Sequence, residues 1–324
     1  MDWETRITRL LQIQYPILQG GLAYLGDATL AAAVSEAGGL GQITAMGLPD
    51  AASLRREIRL VRRLTSHPFG VNIALGMPQA DVAERLRIVI EEKVPVVSLS
   101  GGDPSPWMAQ LHSLHVVTLV LVSSRRQALK AEQSGASAVV AVGHEGGGHV
   151  GRDGVGTMVL VPAIVDAVHI PVIAAGGIAD GRGWMAAQAL GAEGVMMGTR
   201  WIATQECTQA SPSYQTALLH STEADTVVLK ASLGSPGRAL SNVFSRSVAD
   251  REKKTPGDPA IRNLLRSRIN KRWIHEGIEE EGFGWAGQAV GLIDRVLPAA
   301  ELIRRMVQEA EEIRQMWGAC NSTR

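Results

Sequence analysis

Eight short apolar runs recur over roughly the first 200 residues, each ending in small or polar side chains. They are residues 15–20 (YPILQG), 40–45 (LGQITA), 69–75 (FGVNIAL), 94–100 (VPVVSLS), 115–122 (HVVTLVLV), 138–143 (AVVAVG), 171–177 (PVIAAGG) and 194–200 (GVMMGTR). None alternates cleanly between apolar and polar, which fits strands buried on both faces of a parallel sheet. The stretches between them have helical periodicity. Residues 27–37 offer Asp27 as a cap and Gly38 as a stop, and residues 124–134 start on a serine and end before Gly135. Residues 51–65 are amphipathic and rich in arginine, while residues 155–168 and 183–190 fill the last two gaps. Eight β–α units predict an α/β fold of the (β/α)8 TIM-barrel type, with its chemistry at the C-terminal strand ends. A doubly wound sheet is the alternative, but usually has fewer strands.

The pattern changes after Trp201. Residues 208–284 show no series of strand-like runs, and contain Ser235-Pro236-Gly237, a charged stretch at 250–254 and Pro256-Gly257-Asp258-Pro259. They predict a smaller, mostly helical cap over the barrel mouth. Residues 297–317 are strongly amphipathic and predict a closing helix packed on the barrel, with the last few residues frayed. The expected division is a barrel at 1–207, a cap at 208–284 and C-terminal helices at 285–324.

Composition excludes several classes. Of 324 residues, 45% are hydrophobic and 20% charged, enough for a large core and unlike a disordered chain. Lysine plus arginine equals aspartate plus glutamate at 32 each, so nucleic acid is not the expected partner. Two cysteines, Cys207 and Cys320, lie far apart and predict a reducing compartment without a disulfide. The start MDWETRITRL has no apolar signal segment, and no apolar run reaches the ~18 residues of a membrane span. The expected location is the cytoplasm, in soluble form.

The candidate site centres on residues 138–151, AVVAVGHEGGGHVG. A buried strand leads into Gly146, Gly147 and Gly148, whose backbone can approach a flat ligand, and then into His149. Histidine titrates near neutrality and is the commonest general acid/base, so His149 is the expected catalytic residue. A surface loop with an incidental histidine fits the same string. Gly176 and Gly177 end the seventh run; Met196, Met197, Gly198 and Thr199 end the eighth. Barrels often bind phosphate with these two loops. Tight turns alone would also need those glycines, and Arg182 and Arg200 nearby fit solvated charges. Asn72 sits where an amide could hydrogen-bond a heterocycle edge, or serve as a structural amide. Gln19, Gly20 and Gly21 would let a ring lie on backbone. The set points to a phosphorylated planar cofactor, and no strand–GxGxxG–helix fingerprint suggests a Rossmann site. His144 and His149 have no helix to align them and no third ligand, so no metal is expected. Glu145 is read as orienting the loop, and His112 and His115 as structural.

These residues carry a resemblance. YPILQGG, LAAAVSEAGGLG, HPFGVNIAL, GHEGGGHVG, PVIAAGGIADGRG, LGAEGVMMGTRW and WAGQAVGL, in that order, resemble the nitronate monooxygenase (2-nitropropane dioxygenase) superfamily. That superfamily also holds the FMN-containing enoyl-acyl-carrier-protein reductase II. The resemblance covers nearly the whole chain and implies FMN held at Asn72, Val142, Gly147, Gly177 and Met196 through Thr199, with His149 as the catalytic histidine. It implies oxidation of alkyl nitronates with oxygen to a carbonyl compound and nitrite. The alternatives it implies are enoyl-thioester reduction with NAD(P)H as reductant, and NAD(P)H:quinone reduction. Departures are Gly146 for the family's alanine, His144 at the variable position, and Val142 where many monooxygenases have glutamine. The compact middle, 72–151, resembles the reductase; the tail resembles the monooxygenase. Arg262, Arg266, Arg268, Lys271 and Arg272 could form a rim for an acidic carrier protein, or a solvated helix face. Expected partners are a small-molecule substrate, an acyl carrier protein in the reductase case, and a second copy in a homodimer. A flavin-binding scaffold without turnover is disfavoured by His149. A flavin-free aldolase-type barrel would need a Schiff-base lysine or metal carboxylates at strand ends.

Overall fold

A computed structural model describes residues 3–321, with side chains through 318. The expected fraying at the C-terminus and the side chain of Cys320 fall outside that range. Strands β1 (Ile17–Gln19), β2 (Gly41–Thr44), β3 (Phe69–Ala74), β4 (Val96–Ser100), β5 (Val117–Val122) and β6 (Ala138–Val142) fall within the first six apolar runs. A two-residue strand, β7 (Gly148–His149), comes next, and β8 (Val172–Ala175) and β9 (Gly194–Met197) complete the barrel. Eight of these nine form one parallel sheet in the order β1-β9-β8-β6-β5-β4-β3-β2. The Leu18–Leu40 bridge closes it, with Gln19 N–H donating to Leu40 O at 2.9 Å and Leu40 N–H to Ile17 O at 3.0 Å. The run at 194–200 splits, because Gly198 bends the chain and Thr199–Ile202 turn helical.

Local signals act as their chemistry requires. The Asp27 carboxylate caps the helix Ala28–Glu36 by accepting from Leu30 N–H at 3.0 Å. Ser124 caps Arg125–Gln133 through Gln127 N–H, and left-handed Gly135 follows that helix. Two apolar layers result. Leu18, Leu40, Val96, Leu119, Val140, Ile173 and Met196 fill the barrel interior, together with Ile7 and Leu11 of the helix Arg6–Leu11. The larger layer lies between strands and surrounding helices. The C-terminal helix Ala299–Asn321 packs Ile303, Met306 and Ala310 into that layer.

The region 208–284, expected to be mostly helical, also contains strands. Helices at Pro212–His220, Val243–Lys254, Ala260–Leu264 and Ser267–Ile274 are present, but so are β10 (Thr226–Leu229) and β11 (Gly237–Leu240). These two strands pair antiparallel, and β11 also pairs with β7 of the glycine loop. TVVL is apolar and β-branched, yet too short for periodicity to separate it from a helix segment. No helix among the described residues is long and apolar enough to cross a membrane.

Candidate active site

The strand ends and the cap enclose a cleft of about 1210 Å³. Gly20, Gly21, Asn72, Val142, Gly147, Gly148, His149, Gly176, Gly177, Met196, Met197, Gly198 and Thr199 all line it. Gln19 does not. It is fully buried, and its amide forms reciprocal bonds with the backbone of Gln42: Nε2–H to Gln42 O at 2.8 Å, and Gln42 N–H to Oε1 at 3.1 Å. Strand alternation decides this: Leu18 points into the barrel, so Gln19 beside it points the other way and lies against the β2 backbone, while Gly20 and Gly21 reach the cleft.

Gln19 instead begins a polar relay beneath the cleft. Gln42 Nε2–H donates to Gln19 O, the Ser98 hydroxyl donates to Gln42 Oε1 at 2.6 Å, and Asn72 Nδ2–H donates to Ser98 Oγ at 2.9 Å. Each donor commits the next acceptor, so the Asn72 amide has one orientation. Its Oδ1 is left as an acceptor on the cleft side, where a Cβ on Gly21 would approach it to 2.3 Å. Only glycine fits at 21.

Gly176 and Gly177 both take left-handed backbone, with φ of +98° and +76°. Their loop is braced by Thr157, whose Oγ1 lies 2.9 Å from both Gly176 O and Glu145 Oε2. The Glu145 carboxylate also accepts Thr157 N–H, and its carbonyl accepts Gln288 N–H at 2.8 Å. Glu145 therefore orients the glycine loop, as its position suggested. Thr199 Oγ1 accepts from Gly287 N–H at 2.9 Å and keeps its own proton to donate. Arg200 is no solvated charge. It is buried, donates to Ala203 O and Arg295 O, and its pKa is pushed down to about 10 by that burial. Arg182 pairs with Asp180 at the surface.

The histidine loop is not free. In β7, Gly148 lies opposite Arg238 and His149 opposite Gly237, and Val150 N–H donates to Pro236 O at 3.1 Å. Arg238, itself buried, donates through Nε to His144 O at 3.1 Å and through Nη1 to Thr226 Oγ1 at 2.9 Å. The His149 ring faces the cleft. Its Nε2 lies 3.0 Å from Nζ of Lys230, which is itself buried and 5.2 Å from the Trp285 ring centre. The His149 ring is open to solvent in the cleft, yet the protein walls around it disfavour a charged ring and the Lys230 ammonium adds repulsion; together they push its pKa down to about 4. Burial lowers Lys230 as well, against the raising effect of Glu252. Glu252 accepts Lys230 N–H at 2.8 Å and both the N–H and hydroxyl of Ser232 at 2.7 Å, holding the turn after β10. Lys230 has φ of +59°.

Sequence reasoning missed Lys230, Trp285 and Glu252. Trp285 was visible in the WAGQAVGL string, whereas nothing local marks Lys230. Its partner is brought to it by the β10–β11–β7 sheet.

A closed parallel barrel with a glycine-lined cleft at its strand ends, and a His–Lys pair inside that cleft, is the architecture of a TIM-barrel enzyme. The chain belongs to the nitronate monooxygenase family, whose profile matches residues 4–309. A probable nitronate monooxygenase of Staphylococcus saprophyticus is 34% identical, over 97% of this chain and 99% of the relative. Among solved structures, FabK from Thermotoga maritima has a TM-score of 0.91 and 42% identity, covering 98% of this chain and 99% of that one. A nitroalkane oxidase from Streptomyces ansochromogenes has a TM-score of 0.85 and 31% identity, covering 97% and 100%. The protein is thus an oxidoreductase acting on small molecules, in a family that is generally flavin-dependent.

Proposed function

We propose that the protein uses FMN to oxidise alkyl nitronates with molecular oxygen, giving a carbonyl compound and nitrite. The observation that carries this reading is the Lys230 ammonium 3.0 Å from His149 within the cleft, a fixed cation suited to an anionic substrate. The residues present fit FMN. The left-handed Gly176–Gly177 turn with Gly198 and Thr199 would hold the phosphate, with no side chain in the way at the glycines. Asn72 Oδ1 would accept from an N–H on the ring edge. Gly20, Gly21, Val142, Met196 and the Gly147–Gly148 backbone would seat the ring. Bound FMN supplies a two-electron acceptor that passes its electrons to oxygen.

His149 is neutral at pH 7, and next to Lys230 it steadies the nitronate through its remaining N–H, serving as acid rather than base. Over the cycle, two nitronates and one oxygen molecule give two carbonyl compounds and two nitrites, so no external reductant is consumed. The two cysteines and the absence of a membrane-length helix among the described residues support a cytoplasmic enzyme.

A second reading is NAD(P)H-dependent reduction of an enoyl thioester. The 42% identity to FabK favours it, as does the extension of the cleft to Arg126, Lys130 and Arg152, where a phosphorylated second substrate would lie. Anaerobic stopped-flow bleaching of the purified yellow protein separates the two. Fast bleaching by propionate 3-nitronate and none by NADH or NADPH is the expected result. Bleaching by a nicotinamide alone would replace the first reading with the second.

A further inference from the structure

We propose that Lys230 is a specificity-determining residue: it makes the enzyme select a preformed nitronate anion over the neutral parent nitroalkane. This deepens the nitronate reading above and rests on it.

A nitroalkane must lose a proton from carbon before it can be oxidised this way, so its use requires a base with an available lone pair. His149 does not have one. An ammonium carries donors only, so at 3.0 Å Lys230 Nζ donates and His149 Nε2 accepts. The ring proton then sits on Nδ1, and neither nitrogen keeps a free lone pair. Taking a proton onto Nε2 would break the Lys230 bond and leave an imidazolium facing an ammonium.

No other group beside the histidine stands in. The Glu145 carboxylate is committed to Thr157, Asp103 is paired with Lys130 at 2.7 Å, and Asp153 is exposed. A nitronate needs no base, and its oxygens want donors. Beyond the bond to His149, the Lys230 ammonium has no hydrogen-bond acceptor among the described residues, and it lines the cleft. Two of its hydrogens are therefore free for a nitro group.

The lysine is held there from several sides. Its backbone is left-handed, the buried Glu252 carboxylate takes its N–H, and the Trp285 ring lies 5.2 Å from the ammonium. Fixing a long flexible side chain this way costs conformational entropy. A lysine serving only as a solvated charge would not be built so.

The test compares wild-type holoenzyme with Lys230→Met and with Lys230→Arg, the latter keeping the charge and guarding against misfolding. The first readout is the nitrogen-15 ring spectrum of His149, assigned with His149→Gln, at pH 7 without substrate. The wild type should show the Nδ1–H tautomer, and Lys230→Met should shift toward Nε2–H. The second readout is anaerobic bleaching by ethyl nitronate and by nitroethane. Lys230→Met should weaken nitronate binding roughly ten- to hundredfold, as expected on losing hydrogen bonds to a charged partner. The ratio of nitronate to nitroethane bleaching should therefore fall, and Lys230→Arg should restore it. An Nε2–H tautomer in the wild type, or an intact nitronate preference in Lys230→Met, would overturn the proposal. A wild type with the Nδ1–H tautomer that neither compound bleaches would overturn the nitronate reading itself, and the specificity claim with it.

Discussion

Lys230 and His149 are 81 positions apart in sequence, yet Nζ of the first lies 3.0 Å from Nε2 of the second. The approach is made by a three-stranded sheet: β7 carries the histidine, β11 pairs with it, and β10 leads into the lysine. The segment at 208–284 therefore contributes Lys230 to the wall of the cleft.

Replacing His149 tests its place in the chemistry. His149→Ala should keep FMN, because the proposed phosphate cradle lies on other loops and the Gly147–Gly148 contact to the ring is made by backbone. Turnover of a nitronate should fall by roughly 10²–10⁴, the usual contribution of a positioned acid/base group. Steady-state oxygen uptake measures it, and turnover at the wild-type rate would remove His149 from that role.

The pH dependence follows from the same ring. Desolvation first, and then the Lys230 charge, hold the His149 pKa at about 4. The other charged groups around it are Glu145, Arg152 and Asp153 on its own loop, Arg238 on the paired strand, and Glu252 behind the lysine. The neutral ring persists above that value, so kcat/KM should hold as pH falls to about 5 and drop only on approaching 4. In Lys230→Met the acid limb should move upward, since a repelling charge is gone. Linkage gives a matching sign for stability. The unfolded histidine titrates near 6.5 and so binds its proton first as pH falls. This group's effect on stability should be nil above about 6.5 and increasingly destabilising between 6.5 and 4, as urea titrations at several pH values would report.

Gly177→Val addresses the proposed phosphate loop. The backbone φ is +76°, a region a β-branched residue enters only with strain, and a Cβ would meet the Glu145 side chain at 3.4 Å. A cost on the order of 1–3 kcal/mol falls on a loop that binding must order. The variant should purify with substoichiometric FMN and a raised Kd for added FMN. Full loading would place the phosphate elsewhere.

Arg238→Met should act through stability. It removes donors to His144 O and Thr226 Oγ1 and leaves two half-buried acceptors unpaired. The expected loss is roughly 1–3 kcal/mol in chemical denaturation. No change would mean that the cap sheet holds without this cross-link.

The barrel was legible because eight buried strands leave eight apolar runs, and capping aspartates and serines mark the helices between them. The cleft was legible wherever glycine was required: at 21 by the Asn72 amide, and at 176 and 177 by left-handed backbone. Gln19 was misplaced by one step of strand alternation, which a three-residue strand is too short to reveal. Arg200 gave no hint that its partners would be carbonyls at 203 and 295. Lys230 was illegible for a deeper reason. Its role depends on an antiparallel pairing between distant short strands, and no local spacing encodes that.

The attachment of β7 to β11, rather than to a barrel strand, gives two distances different origins. His149 and Lys230 ride on the same small sheet, so their separation is set by pairing within that sheet. The gap between this pair and the glycine-lined seat below is set instead by how the sheet is attached to the barrel. The polar pair and the seat beneath it are thus fixed by two separate sets of backbone hydrogen bonds, and a change in one need not disturb the other.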